Sequence, residues 1–126
     1  MAKILAVDDQ LTIRELVAAV LRPQGHEVDT AVDGAAALKI VADQHYDLII
    51  SDVNMPNMNG ISLVGKIREL SHLKYVPILM LTTESGNDIK STARSIGASG
   101  WLTKPFDSNR LCGAVKKLLA RANMAH

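Results

Sequence analysis

The chain has 126 residues, a formal net charge of +1 and 48% hydrophobic residues. This length is enough for one domain whose core needs neither disulfides nor a structural metal. A single cysteine, no signal-peptide pattern and no apolar run near the roughly 18 residues of a membrane-spanning helix predict a soluble, cytoplasmic protein without membrane insertion. The near-neutral charge argues against a dedicated nucleic-acid-binding domain, because such domains usually carry a basic excess.

We expect five strands, each built on a short apolar run, at about Lys3 to Val7, Glu27 to Ala31, Asp47 to Ser51, Val76 to Leu81 and Gly100 to Leu102. Apolar residues at helical spacing predict five helices that alternate with these strands, around Ile13 to Leu21, Asp33 to Asp43, Ile61 to Leu70, Ile89 to Ile96 and Leu111 to Ala122. Pro23 and Gly25 close the first helix. The fourth helix has the thinnest apolar stripe, which predicts a weakly anchored element.

The alternation of strands and helices predicts how the sheet is connected. Short strand–helix–strand connections are right-handed crossovers, and they produce a parallel sheet covered by helices on both faces. The first, third and fourth strands are nearly continuous aliphatic runs, as strands buried on both faces require, whereas the second strand alternates and suits an edge. We therefore predict an α/β fold with a doubly wound, five-stranded parallel sheet in the order 2-1-3-4-5, the flavodoxin-like arrangement.

Three acidic residues stand where two of these strands end. Asp8 and Asp9 follow the first strand, and Asp52 follows the third. In the predicted order these two strands are neighbours, and open parallel sheets bind ligands at the carboxyl ends of their strands. Three gathered carboxylates repel one another, which favours a bound cation. We expect Mg²⁺, because it takes oxygen ligands.

Two further polar groups are expected at the same edge of the sheet. Thr82 follows the fourth strand, and Lys104, 22 residues later, follows the fifth strand just before Pro105. A carboxylate, a metal ion, a hydroxyl and an ammonium around one crevice are what phosphoryl transfer onto a carboxylate needs. Asp52 can attack phosphorus as the nucleophile, while Mg²⁺, Lys104 and Thr82 hold the phosphoryl oxygens.

Taken together in chain order, four pieces of the sequence resemble the receiver domain of two-component response regulators: Asp8-Asp9, the segment from Asp52 to Gly60, Thr82, and Lys104-Pro105. Within that family the pattern is most similar to the stand-alone chemotaxis receivers. The resemblance covers essentially the whole chain, so we expect a single receiver domain over residues 1–126 and no output domain.

The resemblance implies a role for each acidic residue. Asp52 is the expected phosphoacceptor. Mg²⁺ is expected to be held by Asp9, Asp52 and the backbone carbonyl of Asn54, while Asp8 reaches the ion through water. The family places polar side chains two residues beyond the aspartate and two beyond the threonine, where they orient the hydrolytic water. Asn54 and Glu84 occupy these positions, which predicts fast autodephosphorylation.

The resemblance also identifies the parts of a switch. Thr82 corresponds to the switch threonine and Lys104 to the phosphate-binding lysine, with a cis peptide bond expected between Lys104 and Pro105. Trp101 stands where the family usually has Tyr, Phe or His, and an indole is larger and needs a partner for its N–H when buried. Thr83 replaces a residue that is commonly small, and its β-branched side chain could narrow access to the phosphoacceptor.

The expected partners follow from the resemblance and from the charge distribution. The phosphodonor is expected to be a histidine kinase, of the chemotaxis type. Residues 86–126 contain seven of the 14 basic residues and only two of the 13 acidic ones, which suits an acidic target segment, for example in a flagellar motor switch. We expect a monomer that binds this target through one face made by the fourth helix, fifth strand and fifth helix, carrying Lys90, Arg94, Trp101, Arg110, Lys116 and Lys117.

Other functions share part of this pattern. A phosphate sink and a relay to a histidine phosphotransfer protein would use the same residues. A phosphatase of the haloacid dehalogenase type would need Asp-x-Asp-x-Thr after the first strand, where this chain has Asp8-Asp9-Gln10. A Rossmann site would need a Gly-x-Gly-x-x-Gly turn there. We therefore expect a binding switch whose only catalysis is Mg²⁺-dependent self-phosphorylation and autodephosphorylation.

Overall fold

The computed structural model describes residues 2–55, 58–83 and 97–124. Its strands are β1 (Lys3–Val7), β2 (Glu27–Ala31), β3 (Leu48–Asp52), β4 (Ile78–Thr82) and β5 (Gly100–Thr103). Its helices are α1 (Leu11–Leu21), α2 (Gly34–Val41), α3 (Gly60–Arg68) and a C-terminal helix (Ser108–Met124), with 3₁₀ turns at Arg22–Gln24 and Ser71–Leu73. The predicted fourth helix, around Ile89, Ala93 and Ile96, lies outside the described residues.

The five strands form one parallel sheet in the order β2-β1-β3-β4-β5, which confirms the predicted α/β fold. β2 lies at an edge, as its alternating sequence pattern predicts, and Val28 and Ala31 are its buried residues. β3 begins one residue later than predicted, at Leu48, and β4 begins two residues later than predicted, at Ile78. The pairing of β4 with β3 starts at Ile78 rather than at Val76. Pro77, which has no N–H, stands just before that start. No helix in the described ranges is long and apolar enough to cross a membrane.

The core consists of two apolar layers, one on each face of the sheet. Alternate strand residues supply them, because successive side chains of a strand point to opposite faces. Leu5 and Ile49 pack with α2 and α3, whereas Ile4 and Ile50 pack with α1 and the C-terminal helix. Both faces of the central strands are therefore buried. The polar residues at the ends of β1 and β3 stand at the edge of this packed core.

Side-chain caps fix where two of the helices begin. The Asp33 carboxylate accepts a hydrogen bond of 2.8 Å from the Ala36 N–H at the start of α2, as the predicted start near Asp33 requires. Asn59 accepts one of 2.8 Å from the Ser62 N–H at the start of α3. The third helix thus begins at Gly60, one residue before the predicted start at Ile61.

Arg68, the last residue of α3, ties this helix to the turn before β5. Its guanidinium donates hydrogen bonds of 2.7 and 3.1 Å to the carbonyl oxygen of Gly97 and one of 3.1 Å to that of Leu73. Gly97 has φ of +104°, and a Cβ there would lie 2.9 Å from Arg68 Nε. A side chain at this position would be strained by the backbone and would push the guanidinium away.

Candidate phosphoryl-transfer site

Three carboxylates meet at the carboxyl ends of β1 and β3. Asp8, Asp9 and Asp52 each offer a ligand oxygen, and these oxygens lie within 4.8 Å of one another. Asp8 is 2% exposed and Asp52 is 5% exposed, whereas Asp9 faces solvent. β1 and β3 are paired neighbours, with Val7 opposite Ser51, so the residues that follow the two apolar runs are necessarily brought together.

Lys104 reaches this cluster from the end of β5. Its ammonium nitrogen lies 3.1 Å from Asp8 Oδ2 and 3.3 Å from Asp52 Oδ1, and its side chain is 12% exposed. Its backbone N–H donates a hydrogen bond of 2.7 Å to the carbonyl oxygen of Thr82. The peptide bond between Lys104 and Pro105 is cis, as predicted.

The cluster carries more negative charge than its one ammonium balances. Burial raises the pKa of Asp52, and the charge of Asp8 raises it further. The Lys104 ammonium and a hydrogen bond from the Asn54 backbone N–H oppose this rise in the pKa. The ionised site is therefore under electrostatic strain that a cation would relieve. Three carboxylates that can share one ion are the hard oxygen donors that Mg²⁺ prefers, so the residues present fit this metal.

Of the other predicted site residues, the structure describes Thr82, Asn54 and Trp101. Thr82 is fully buried at the end of β4, opposite Thr103 of β5, and Thr83 is exposed. Asn54 has an exposed side chain in the loop after β3. Trp101, opposite Met80 in the β4–β5 pairing, is half-buried against the core layer of α2 and α3. Glu84 lies outside the described residues.

Three residues that the sequence reasoning did not assign to the site hold its main chain in place. The Gln10 N–H donates a hydrogen bond of 2.9 Å to Asp8 Oδ1, and Arg14 Nη1 donates one of 2.8 Å to the Asp8 carbonyl oxygen. Gly60 donates its N–H to the Val53 carbonyl oxygen at 2.8 Å. A Cβ at Gly60 would collide with the Asp52 carbonyl oxygen. The signal for Arg14 was its place in the first turns of the helix that follows the acidic pair.

The basic residues predicted for the output face are placed unevenly. Arg110, Lys116 and Lys117 are exposed on the C-terminal helix. Lys116 lines a hollow together with Leu21, on the side of that helix that meets α1. Lys90 and Arg94 lie outside the described residues.

Comparisons with known proteins agree with the geometry of this site. The response regulator receiver domain family matches residues 4–116. The chain belongs to this family. The receiver is 36% identical over 122 residues to the chemotaxis protein CheY of Pseudomonas aeruginosa, covering 96% of this chain and 98% of CheY. It is 37% identical over 114 residues to the protein PilG of the same organism, covering 90% of this chain and 84% of PilG.

Solved structures support the same assignment. The receiver is similar to the chemotaxis protein CheY4 of Vibrio cholerae, with a TM-score of 0.91 and 46% sequence identity over 94% of this chain and 98% of that one. The chain is thus the receiver domain of a two-component response regulator, and its relatives indicate chemotaxis-type signalling. Receiver domains of this type are signalling switches rather than enzymes.

Proposed function

We propose that this receiver accepts one phosphoryl group on Asp52 from the phosphohistidine of a chemotaxis-type histidine kinase and thereby changes its affinity for a target protein. The observation that carries the proposal is the position of Lys104, whose ammonium bridges the buried carboxylates of Asp8 and Asp52 at 3.1 and 3.3 Å. A cation from a distant strand is held where the charge of an incoming phosphoryl group would develop. The switch acts in the cytoplasm as a monomer.

The transfer needs no general base. An ionised oxygen of Asp52 attacks phosphorus, the new O–P bond forms, and the P–N bond to the kinase histidine breaks. The electron pair of that bond leaves with the imidazole nitrogen. Lys104 stays beside the transferred group and offsets its negative charge. The acyl phosphate that results is an activated species that water can later hydrolyse.

Mg²⁺ fits the remaining carboxylates. Asp9, Asp52 and the backbone carbonyl of Asn54 would hold the ion, and Asp8 would reach it through water. When bound, it supplies positive charge against the phosphoryl oxygens. Asp8 is already oriented for this role, because its Oδ1 accepts a hydrogen bond from the Gln10 N–H and its Oδ2 lies beside Lys104.

Labelling with a small phosphodonor tests the phosphoacceptor. We expect acetyl phosphate with Mg²⁺ to add one phosphoryl group to the wild-type chain, as measured by intact mass, and none to Asp52→Asn. The matched control is Asp43→Asn, which removes an exposed carboxylate outside the cluster and should label as the wild type does. Labelling that survives Asp52→Asn undiminished would rule out the assignment.

Phosphorylation is proposed to reach the output face through Thr82 and Trp101. A phosphoryl group on Asp52 would attract the Thr82 hydroxyl and change the packing near Trp101 on the neighbouring strand. Such a change biases two pre-existing arrangements by about 1–3 kcal/mol of coupling energy. The basic C-terminal part of the chain suits an acidic segment of the target, such as one in a flagellar motor switch.

Fluorescence and binding test this output. Trp101 is the only tryptophan, so its emission should change when acetyl phosphate and Mg²⁺ are added, and the change should be absent in Asp52→Asn. A pull-down of the target should be stronger for the phosphorylated chain and should weaken in Lys117→Glu. If phosphorylation leaves target binding unchanged but the chain drains phosphoryl groups from the kinase, the chain is a phosphate sink or relay instead.

The lifetime of the phosphoryl group is proposed to be short. Asn54 and Glu84 occupy the two positions that orient the hydrolytic water in chemotaxis receivers. We expect replacement of either residue by leucine to slow the decay of the phosphorylated chain, measured by intact mass after removal of the donor. Identical decay in both variants and the wild type would contradict this role.

A further inference from the structure

A band of hollows runs along the amino-terminal edge of the sheet, at the end opposite the acidic cluster. The central hollow has a volume of about 550 Å³ and lies between the loops before β2, β3 and β4 and the last turns of the C-terminal helix. It shares His26 and Leu119 with a second hollow of about 330 Å³, and Tyr75 and Pro77 with a third of about 200 Å³. We call this row of three neighbouring hollows the basal groove.

The basal groove is lined by an excess of basic groups. Lys74, Lys116 and Arg121 contribute cationic side chains, one in each hollow. Among the described residues, Asp47 is the one carboxylate in its lining. That carboxylate is already engaged, because its Oδ2 accepts a hydrogen bond of 2.7 Å from the Lys3 N–H. The groove therefore has unmatched positive charge in which an acidic ligand would be favoured.

An exposed aromatic residue stands where the central and third hollows meet. Tyr75 is 80% exposed, the largest exposed fraction of any large hydrophobic residue in the described ranges. The Lys74 ammonium lies 5.6 Å from the centroid of its ring, so charge and aromatic surface are presented together. The partly exposed Leu119 supplies apolar surface inside the central hollow. An aromatic anchor surrounded by basic groups is typical of a peptide-binding surface.

We propose that the basal groove binds an acidic, extended peptide segment of a partner protein, with an aromatic or aliphatic side chain of that segment against Tyr75. A row of three neighbouring hollows that share lining residues suits an extended chain better than a compact ligand. Neither the acidic cluster nor Lys104 lines it, so this docking surface is separate from the proposed phosphoryl-transfer site. Trp101 does not line it either, although Lys116 of the predicted output face does.

Titration with a synthetic peptide tests the proposal. The probe is an eight-residue peptide of alternating glutamate and phenylalanine with blocked ends, added to the full ¹⁵N-labelled chain. We expect saturable shifts of the backbone amides of Ala2, His26, Tyr75 and Leu119, and weaker binding at high salt. A peptide in which lysine replaces every glutamate should not bind. Shifts confined to other residues, or equal binding of the lysine peptide, would overturn the proposal.

Two double variants test which residues contribute to the affinity for the glutamate peptide. Lys74→Glu with Tyr75→Ala changes two exposed side chains of the groove, and we expect it to weaken the affinity for the glutamate peptide about tenfold. The matched control, Lys39→Glu with Leu11→Ala, changes an exposed lysine and an exposed large apolar residue elsewhere and should leave the affinity unchanged. An equal loss in both double variants would refute a specific groove.

A final variant separates this inference from the proposed function. Asp52→Asn removes the proposed phosphoacceptor without touching the groove. We expect its affinity for the glutamate peptide to equal that of the wild type, whether or not the chain can be phosphorylated. An affinity that changes in Asp52→Asn, and above all one that rises because a repelling carboxylate is gone, would show that the probe binds at the acidic edge, and the separate groove would be wrong.

Discussion

Two glycines of α3 provide a sharp test of how this fold positions Asp52. Gly60 is the first residue of the helix, and a Cβ there would collide with the Asp52 carbonyl oxygen and would lie 2.8 Å from Met80 Cε and 3.0 Å from Val53 Cα. Gly65 lies in the same helix, and a Cβ there would meet nothing within 4 Å. The two Gly→Ala changes are chemically identical and differ only in what the added methyl group meets.

The structure predicts that these two changes shift the free energy of unfolding in opposite directions. Two of the atoms that oppose Gly60→Ala belong to the main chain and cannot rotate away, so we expect the free energy of unfolding to fall by about 1–3 kcal/mol. Gly65→Ala should raise it by about 0.5–1 kcal/mol, because alanine loses less backbone entropy in a helix and no contact opposes it. The two variants should therefore differ by about 1.5–4 kcal/mol.

Urea unfolding followed by circular dichroism measures this difference, with the m value checked to be unchanged between the variants. Labelling by acetyl phosphate should also slow in Gly60→Ala, since relief of the collision moves the main chain of Asp52, while Gly65→Ala should label at the wild-type rate. If Gly60→Ala is as stable as Gly65→Ala and labels equally fast, the close approach of α3 to the end of β3 does not hold the site.

Three further predictions concern metal, pH and the turn before β5. Mg²⁺ should raise the melting temperature of the wild type but not of Asp52→Asn, as scanning calorimetry would show; an equal rise in both would place the ion elsewhere. Burial lowers the pKa of His26 from its ordinary 6.5, and its Nδ1 accepts a hydrogen bond of 3.2 Å from the Ala2 N–H. The neutral ring therefore stabilises the fold above pH 6.5, and this contribution is lost as the pH falls. The free energy of unfolding in urea should thus fall less between pH 7 and pH 5.5 in His26→Asn than in the wild type. Arg68→Lys should lower the free energy of unfolding in urea by about 1–3 kcal/mol, because lysine cannot reproduce the bonds to Gly97 and Leu73; no loss would show those bonds to be dispensable.

The sequence by itself determined the sheet and the location of its acidic edge. Runs of aliphatic residues that end in Asp8 and Asp52 indicate buried strands, and their alternation with helices indicates a parallel sheet. The predicted order 2-1-3-4-5 makes these two strands neighbours. The sequence also predicted that the second helix begins near Asp33, where the structure shows a side-chain cap. Each of these features depends on residues close together in the chain or on a regular spacing of apolar residues. The sequence pattern alone therefore reveals them.

Tertiary structure decided what depends on distances between segments far apart in the chain. That Lys104 bridges Asp8 and Asp52, that Gly60 touches the main chain of Asp52, and that Lys116 lies toward α1 depend on how elements pack, and no local pattern encodes packing. The basal groove is the clearest case. Its walls come from loops near His26, Asp47 and Tyr75 and from the end of the C-terminal helix, which carry no shared motif. Only the parallel sheet, which gathers the starts of its strands at one edge, brings these walls together.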